Sequence, residues 1–155
     1  MRQALIIDDE QALVALLATI LISLGYKVST ACDGEEGIEL FNSIHDFDII
    51  ITDITMPRID GNEVARRIRN SDNADVPIIA MSGYDDKADN ELFTLSLQKP
   101  FHVQAFTDMI KSIEEDCDGR STLPSGLEYY ASGACRWQRR AHSQFPAKIF
   151  DSFGL

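Results

Sequence analysis

The sequence predicts an α/β fold, a doubly wound sheet of five parallel strands with helices on both faces, on three observations. Short β-branched runs alternate with stretches of helical periodicity from residue 3 to about 115, the pattern of repeated βαβ units. The runs Ala4-Leu5-Ile6-Ile7 and Asp48-Ile49-Ile50-Ile51-Thr52 are too apolar for a strand with one wet face and suit burial on both sides of a parallel sheet. Right-handed crossovers and short connections leave few ways to stack such a series, and the doubly wound open sheet is the commonest.

Strands are expected at 3–8, 26–31, 47–52, 76–81 and 94–98, each ending just before a polar or Gly-containing segment. The first helix, Glu10 to Leu24, carries Leu13, Leu16, Leu17, Ile20, Leu21 and Leu24 on a wide face, with Gly25 as its C-terminal stop. A second helix fits Glu35 to Ser43 and a third Asn62 to Asn70. Between the fourth and fifth strands only a short, weak helix within about 84–92 is expected. The last helix, Val103 to Glu115, places Phe106, Met109, Ile110 and Ile113 on one face.

After this the pattern breaks. Asp116-Cys117-Asp118-Gly119-Arg120 through Gly126 is polar and turn-forming, and the remainder holds no period of 3.6 or 2. The chain therefore divides into a domain at 1–115 and an extension at 116–155. For the extension three readings stand: disordered, partner-docking through Tyr129, Tyr130, Trp137 and the basic Arg136, Arg139 and Arg140, or derived from expression. Charge divides the same way, with 9 Lys+Arg against 23 Asp+Glu in residues 1–118 and 5 against 2 in 119–155.

The composition, 45% hydrophobic and 25% charged over 155 residues, supports one domain with a real core. A formal net charge of −11 argues against nucleic acid as a general partner, because phosphate-backbone affinity needs Lys and Arg. No apolar stretch approaches the roughly 18 residues of a membrane span, and no leader pattern opens the chain, so a cytoplasmic location without membrane insertion is expected. Cys32, Cys117 and Cys135 are odd in number and widely spaced, which supports neither a disulfide framework nor a zinc site.

The chemistry is carried by acids. Asp8 and Asp9 follow the first strand and Asp53 the third, so three carboxylates meet beyond the carboxyl ends of the strands, where open sheets bind ligands. Carboxylate oxygens suit a hard cation, and Mg2+ typically takes one or two of them together with a phosphate oxygen. The cluster thus predicts phosphate chemistry, with Asp53 as a carboxylate nucleophile able to form an aspartyl phosphate. Asp8 and Asp9 also suit N-capping of the first helix.

Four fragments occur in register with the strand ends: Ile6-Ile7-Asp8-Asp9-Glu10, Ile51-Thr52-Asp53-Ile54-Thr55-Met56-Pro57-Arg58-Ile59-Asp60-Gly61, Ile78-Ile79-Ala80-Met81-Ser82-Gly83 and Leu97-Gln98-Lys99-Pro100-Phe101. In this order they resemble the response-regulator receiver domains of two-component signalling, over residues 3 to about 115. The resemblance implies the flavodoxin-like strand order 2-1-3-4-5. It implies Asp53 as phosphoacceptor, Mg2+ held by Asp8, Asp9, Asp53 and the backbone carbonyl of Thr55, and Lys99 reaching the phosphoryl oxygens as a point charge. It also implies a cis Lys99-Pro100 bond, a switching hydroxyl at Ser82, and tuning of the phosphate lifetime at Thr55 and Tyr84. The implied donor is a histidine kinase or phosphotransfer protein, and the output is protein–protein contact. The module is a phosphoacceptor and not an enzyme beyond its own phosphotransfer and autodephosphorylation. Pro57 and Asp60-Gly61 fit a turn leading into the third helix.

Two departures stand out. The family places Tyr or Phe three residues before its lysine, where this chain has Ser96, and the segment from Ser82 to Lys99 is shorter than usual by roughly one helical turn. The fourth helix is therefore short, displaced or unwound, and the phosphate signal is read differently; Phe93 or Phe101 is the available substitute aromatic. With about 40 residues after 115 and no helix-turn-helix periodicity, a transcription factor is not expected of this stretch. Two other functions compete: a pseudo-receiver that binds partners without phosphate, and an Asp-nucleophile phosphatase of the haloacid-dehalogenase type. The second needs an Asp two residues after the nucleophile, where Thr55 stands.

Overall fold

The computed structural model describes residues 1–117; the expectations for the extension, from residue 118 onward, lie outside the described residues. Nine elements follow one another: β1 (Arg2–Ile7), α1 (Gln11–Ser23), β2 (Tyr26–Ala31), α2 (Gly34–Ser43), β3 (Ile49–Asp53), α3 (Gly61–Arg69), β4 (Ile78–Ser82), β5 (Leu95–Gln98) and α4 (Val103–Cys117). All strand pairs are parallel and the sheet order is β2-β1-β3-β4-β5, as the resemblance implies. Element ends differ from the sequence reading by a residue or two, the normal uncertainty of frayed termini.

Because side chains alternate along a strand, strands β1 to β4 feed two cores, while β5 feeds one. Ala4, Ile6, Ile49, Ile51, Ile79, Met81, Leu95 and Leu97 join Leu17 and Leu21 of α1 and Phe106 and Ile110 of α4 on one face. Leu5, Ile7, Ile50, Ile78 and Ala80 join Phe41 of α2 and Val64, Ala65 and Ile68 of α3 on the other. The middle strands β1, β3 and β4 are thus buried on both sides, which is why they read as continuous apolar runs.

Local chemistry sets the helix ends. Gly25 closes α1 at φ +90°, a conformation that favours glycine. Asp33 and Asp60 N-cap α2 and α3, their carboxylates accepting from the N–H groups of Glu36 and Glu63 at 2.9 and 2.8 Å. The acids after β1 do not cap α1 in this way. Asp8 Oδ1 accepts from Glu10 N–H at 2.9 Å, ahead of the helix, and Glu10 at the cap makes no side-chain bond.

One expected element does not form. Residues 83–94, between β4 and β5, contain turns and no α-helix, so the short helix expected within 84–92 is absent and helices do not cover the whole of both faces. Asp89 competes with the helix ladder there: its Oδ1 accepts from Glu91 N–H at 3.2 Å, a donor that a helix over 84–92 would give to the carbonyl of Lys87. The loop lies over the α2–α3 face instead, seating Phe93 in the core and packing Ala88 and Leu92 against it.

Candidate functional site

At the carboxyl ends of the strands the sheet gathers the expected acids. Asp53 ends β3 and Asp8 follows β1, its N–H donating to Ala31 O at 3.1 Å so that it continues the sheet. Both are buried, Asp8 to 0% and Asp53 to 6% exposure, while the neighbouring Asp9 is exposed. One carboxylate oxygen from each of the three lies within 4.8 Å of the others.

Lys99 enters from the end of β5. Its Nζ donates to Asp8 Oδ2 at 3.0 Å and stands 3.2 Å from Asp53 Oδ1. Its backbone is fixed by Lys99 N–H donating to Ser82 O at 2.7 Å, and the Lys99-Pro100 bond is cis, as expected. Asp53 Oδ1 also accepts from Ile54 N–H at 3.0 Å.

These contacts decide the charge states. Burial, then the neighbouring Asp8, pushes the Asp53 carboxyl up to about 6, with Lys99 opposing. Burial likewise raises Asp8 above the ordinary carboxylate value, although Glu10 N–H and Lys99 pull it down. Lys99 itself is lowered by burial but raised by more through Asp8 and Asp53, so it stays an ammonium. Three carboxylates face one ammonium, leaving negative charge uncompensated in a pocket made of hard oxygen donors. That donor set fits a divalent oxygen-loving cation, Mg2+ or Ca2+, and does not suit softer metals.

The other sequence-predicted residues are placed unequally. Ser82 ends β4 one residue past Met81, the register partner of Asp53, and is half-buried at the pocket rim. Thr55 is exposed, its hydroxyl donating to Asp86 Oδ1. Tyr84 is 87% exposed on the β4–β5 loop. Ser96 pairs with Ala80 across β4–β5; its neighbours Leu95 and Leu97 face the α1–α4 core, which turns Ser96 to the loop side. The substitute aromatics are occupied: Phe93 is 2% exposed in the core and Phe101 stacks on Phe106 at 6.2 Å between ring centroids.

Three features escaped the sequence reading. Gly61 does more than turn the chain: a Cβ there would meet Asp53 O at 2.2 Å, so α3 starts directly against the backbone of Asp53. Arg58, at φ +68°, pairs with the Asp33 cap at 2.6 Å and ties the β3–α3 turn to α2. Asp86 joins Thr55 to the β4–β5 loop and is held below the ordinary carboxylate value by the Thr55 hydroxyl, Gly83 N–H and the charge of Lys99. For Gly61 the fragment Asp60-Gly61 was a signal; nothing local in the sequence marks the 31-residue span from Thr55 to Asp86.

Comparison with known proteins agrees with this geometry. The family model described as "Response regulator receiver domain" matches residues 4–111. Among curated relatives, the response regulator ArlR of Staphylococcus aureus is 33% identical over 121 residues, 73% of this chain and 52% of ArlR. The probable transcriptional regulator ycf27 of Cyanidium caldarium is 45% identical over 85 residues, 55% of this chain and 33% of ycf27. The chain thus spans half or less of the length of the curated relatives at the head of the comparison. Among solved structures, the response regulator protein TrrA of Thermotoga maritima in complex with Mg(2+)-BeF is 33% identical with a TM-score of 0.66, covering 73% of this chain and 99% of TrrA. A receiver domain protein of Clostridium thermocellum is 25% identical with a TM-score of 0.68, covering 78% of this chain and 100% of that one.

Proposed function

This chain belongs to the response regulator receiver family, the phosphoacceptor module of two-component signalling, and on that premise we propose that Asp53 is the side chain phosphorylated, by a histidine kinase or a histidine phosphotransfer protein. The observation that carries this is the convergence of Asp8, Asp53 and Lys99 at the tips of three separate strands, with both carboxylates within 3.2 Å of one ammonium.

In the step itself an Asp53 carboxylate oxygen attacks phosphorus in line, forming the new oxygen–phosphorus bond as the bond from phosphorus to the donor imidazole nitrogen breaks. The electron pair leaves with that nitrogen, and the product is an aspartyl phosphate. Asp53 must be ionised to attack, and a carboxyl held at about 6 is so at neutral pH. Lys99 is already beside the attacking oxygen, and the buried Asp8 keeps its ammonium there by a 3.0 Å bond. Such a positioned charge meets the negative oxygens of the transferring group without reorganising. A Mg2+ ion held by Asp8, Asp9, Asp53 and the Thr55 carbonyl supplies, when bound, neutralisation of charge on those oxygens. Ser82, at the rim, offers its hydroxyl to the phosphoryl group, and Thr55 and Tyr84 govern access of the water that later hydrolyses it.

The output is contact with another protein, in the cytoplasm, where phosphohistidine made from ATP is supplied. The test is labelling by radioactive acetyl phosphate in the presence of Mg2+. The chain takes up acid-stable, hydroxylamine-labile phosphate and Asp53→Asn takes up none; equal labelling of the two would overturn the assignment.

A further inference from the structure

Asp86 presents a carboxylate at the rim of the site, and no step above uses it. Two hydrogen bonds to separate segments put it there. Its Oδ2 accepts from Gly83 N–H at 2.5 Å, a donor one residue beyond the end of β4. Its Oδ1 accepts from the hydroxyl of Thr55, two residues past Asp53. The charge of Lys99 also favours its ionised form, by less than either hydrogen bond does. An N–H at a strand tip, a hydroxyl and a lysine charge are the donors that recognise a phosphoryl oxygen. An internal anion already holds the first two.

We propose that Asp86 is a built-in stand-in for the phosphoryl group: its carboxylate occupies the Gly83 N–H and the Thr55 hydroxyl while Asp53 is unmodified, and a phosphoryl group on Asp53 displaces it and releases the β4–β5 loop. The inference rests on the reading of Asp53 as phosphoacceptor.

The loop is built to be released in this way. With no helix of its own, residues 83–90 are attached by the packing of Ala88 against the core and by a few polar ties. Besides Asp86, these are Asn62 Nδ2 donating to Lys87 O and Asp89 N–H donating to Asn62 Oδ1, both at 2.8 Å. The loop's far end is fixed, since Phe93 is buried and Arg69 Nε donates to Leu92 O at 2.9 Å. Loss of the Asp86 contacts therefore frees 83–90 from one end while 92–94 stays in place. Tyr84, 87% exposed, and the acids Asp85 and Asp89 move with it. This supplies a moving element in a chain that has Ser96 where a swinging ring would stand, and it needs no ring.

Displacement has a measurable consequence. An anion that must first evict Asp86 binds less tightly than one that finds the donors open, in proportion to the fraction of molecules in the open state. The test uses the whole chain with Mg2+ and beryllofluoride as the phosphoryl probe, following affinity by fluorine NMR and loop opening by amide hydrogen exchange. Wild type should bind the probe and gain exchange at 83–90, with 92–94 unchanged. Asp86→Ala should exchange rapidly at 83–90 without the probe, show no further gain with it, and bind it about 5- to 20-fold more tightly. Asp86→Glu should restore part of the wild-type exchange response, and unaltered protection in β1 and β3 verifies that the variants are folded. If wild type binds the probe but its loop exchange is unchanged, or if Asp86→Ala binds no more tightly than wild type, the stand-in role is overturned while Asp53 keeps its own. If wild type fails to bind the probe at all, both readings fall.

Discussion

The two faces of the sheet are held in different ways. On one, α1 and α4 bury Leu17, Leu21, Phe106 and Ile110 against all five strands, and cohesion there is apolar area and close packing. On the other, α2 and α3 do the same for the β2–β1–β3 side, but past α3 the cover is a loop anchored by Phe93, with Ala88 and Leu92 packed beside it, and otherwise fixed by Arg69, Asn62 and Asp86. Apolar packing is non-directional and weakens gradually, whereas a polar tie is made or lost as a unit and answers to a change of charge nearby. A molecule that must keep its sheet intact while one segment moves is served by this division.

Substitutions can test how deep the division runs. The largest effect is expected on the packed face. Phe106→Ala, at a fully buried side chain, should cost about 3–5 kcal/mol in urea unfolding and lower protection throughout the sheet, since cavities in a shared core are felt globally. On the tied face Arg69→Ala should cost less, on the order of 2 kcal/mol. Its guanidinium donates to Ala74 O at 2.6 Å, Val76 O at 2.7 Å and Leu92 O at 2.9 Å, and water can reach part of what is left. The distinguishing readout is local: hydrogen exchange should quicken at 74–94 and remain unchanged in α1 and α4. A uniform rise would show that the two faces unfold as one.

The rim between the faces should respond with the opposite sign. Asp53 is raised from 3.8 to about 6, so the stability its protonation lends is complete below 3.8 and lost as the pH rises through 6. In metal-free protein at pH 7.5, Asp53→Asn should therefore stabilise, by on the order of 1–3 kcal/mol. The gain should shrink toward zero as the pH falls below 4, where the native side chain is itself neutral, and a gain independent of pH would remove charge as its cause. The smallest effect is Asn62→Ala, about 1 kcal/mol by thermal unfolding for two surface hydrogen bonds, with faster exchange confined to 87–89.

Much of this was readable in the chain, and the reasons differ by element. Runs such as Ile49-Ile50-Ile51 announce a strand buried on both sides because no other setting satisfies so many adjacent apolar residues, and the acids that follow β1 and β3 are fixed at strand tips by the same argument. The fragments around Asp8, Asp53 and Lys99 marked the strand ends at which these side chains converge. The helix expected within 84–92 failed because propensity summed over a window does not see that Asp89 has a backbone partner within reach. Gly61 was assigned a turn and proved also to be a space requirement of the Asp53 backbone, which periodicity does not reveal.

By itself, then, the sequence determined the alternation of elements, the two-sided core and which carboxylates meet, since each of these follows from hydrophobic period and strand-end position, while Lys99 was marked only by the resemblance of its fragment to the family. Only the tertiary structure decided how close Lys99 comes to two acids 91 and 46 residues away along the chain, and how far burial and the neighbouring Asp8 raise the Asp53 carboxyl. It likewise decided that Asp86 is shared between Gly83 and Thr55 and that a loop, not a helix, covers the last strands. Such outcomes depend on distances between segments remote in sequence, and electrostatic and hydrogen-bond energies change steeply with those distances while hydrophobic pattern carries no record of them.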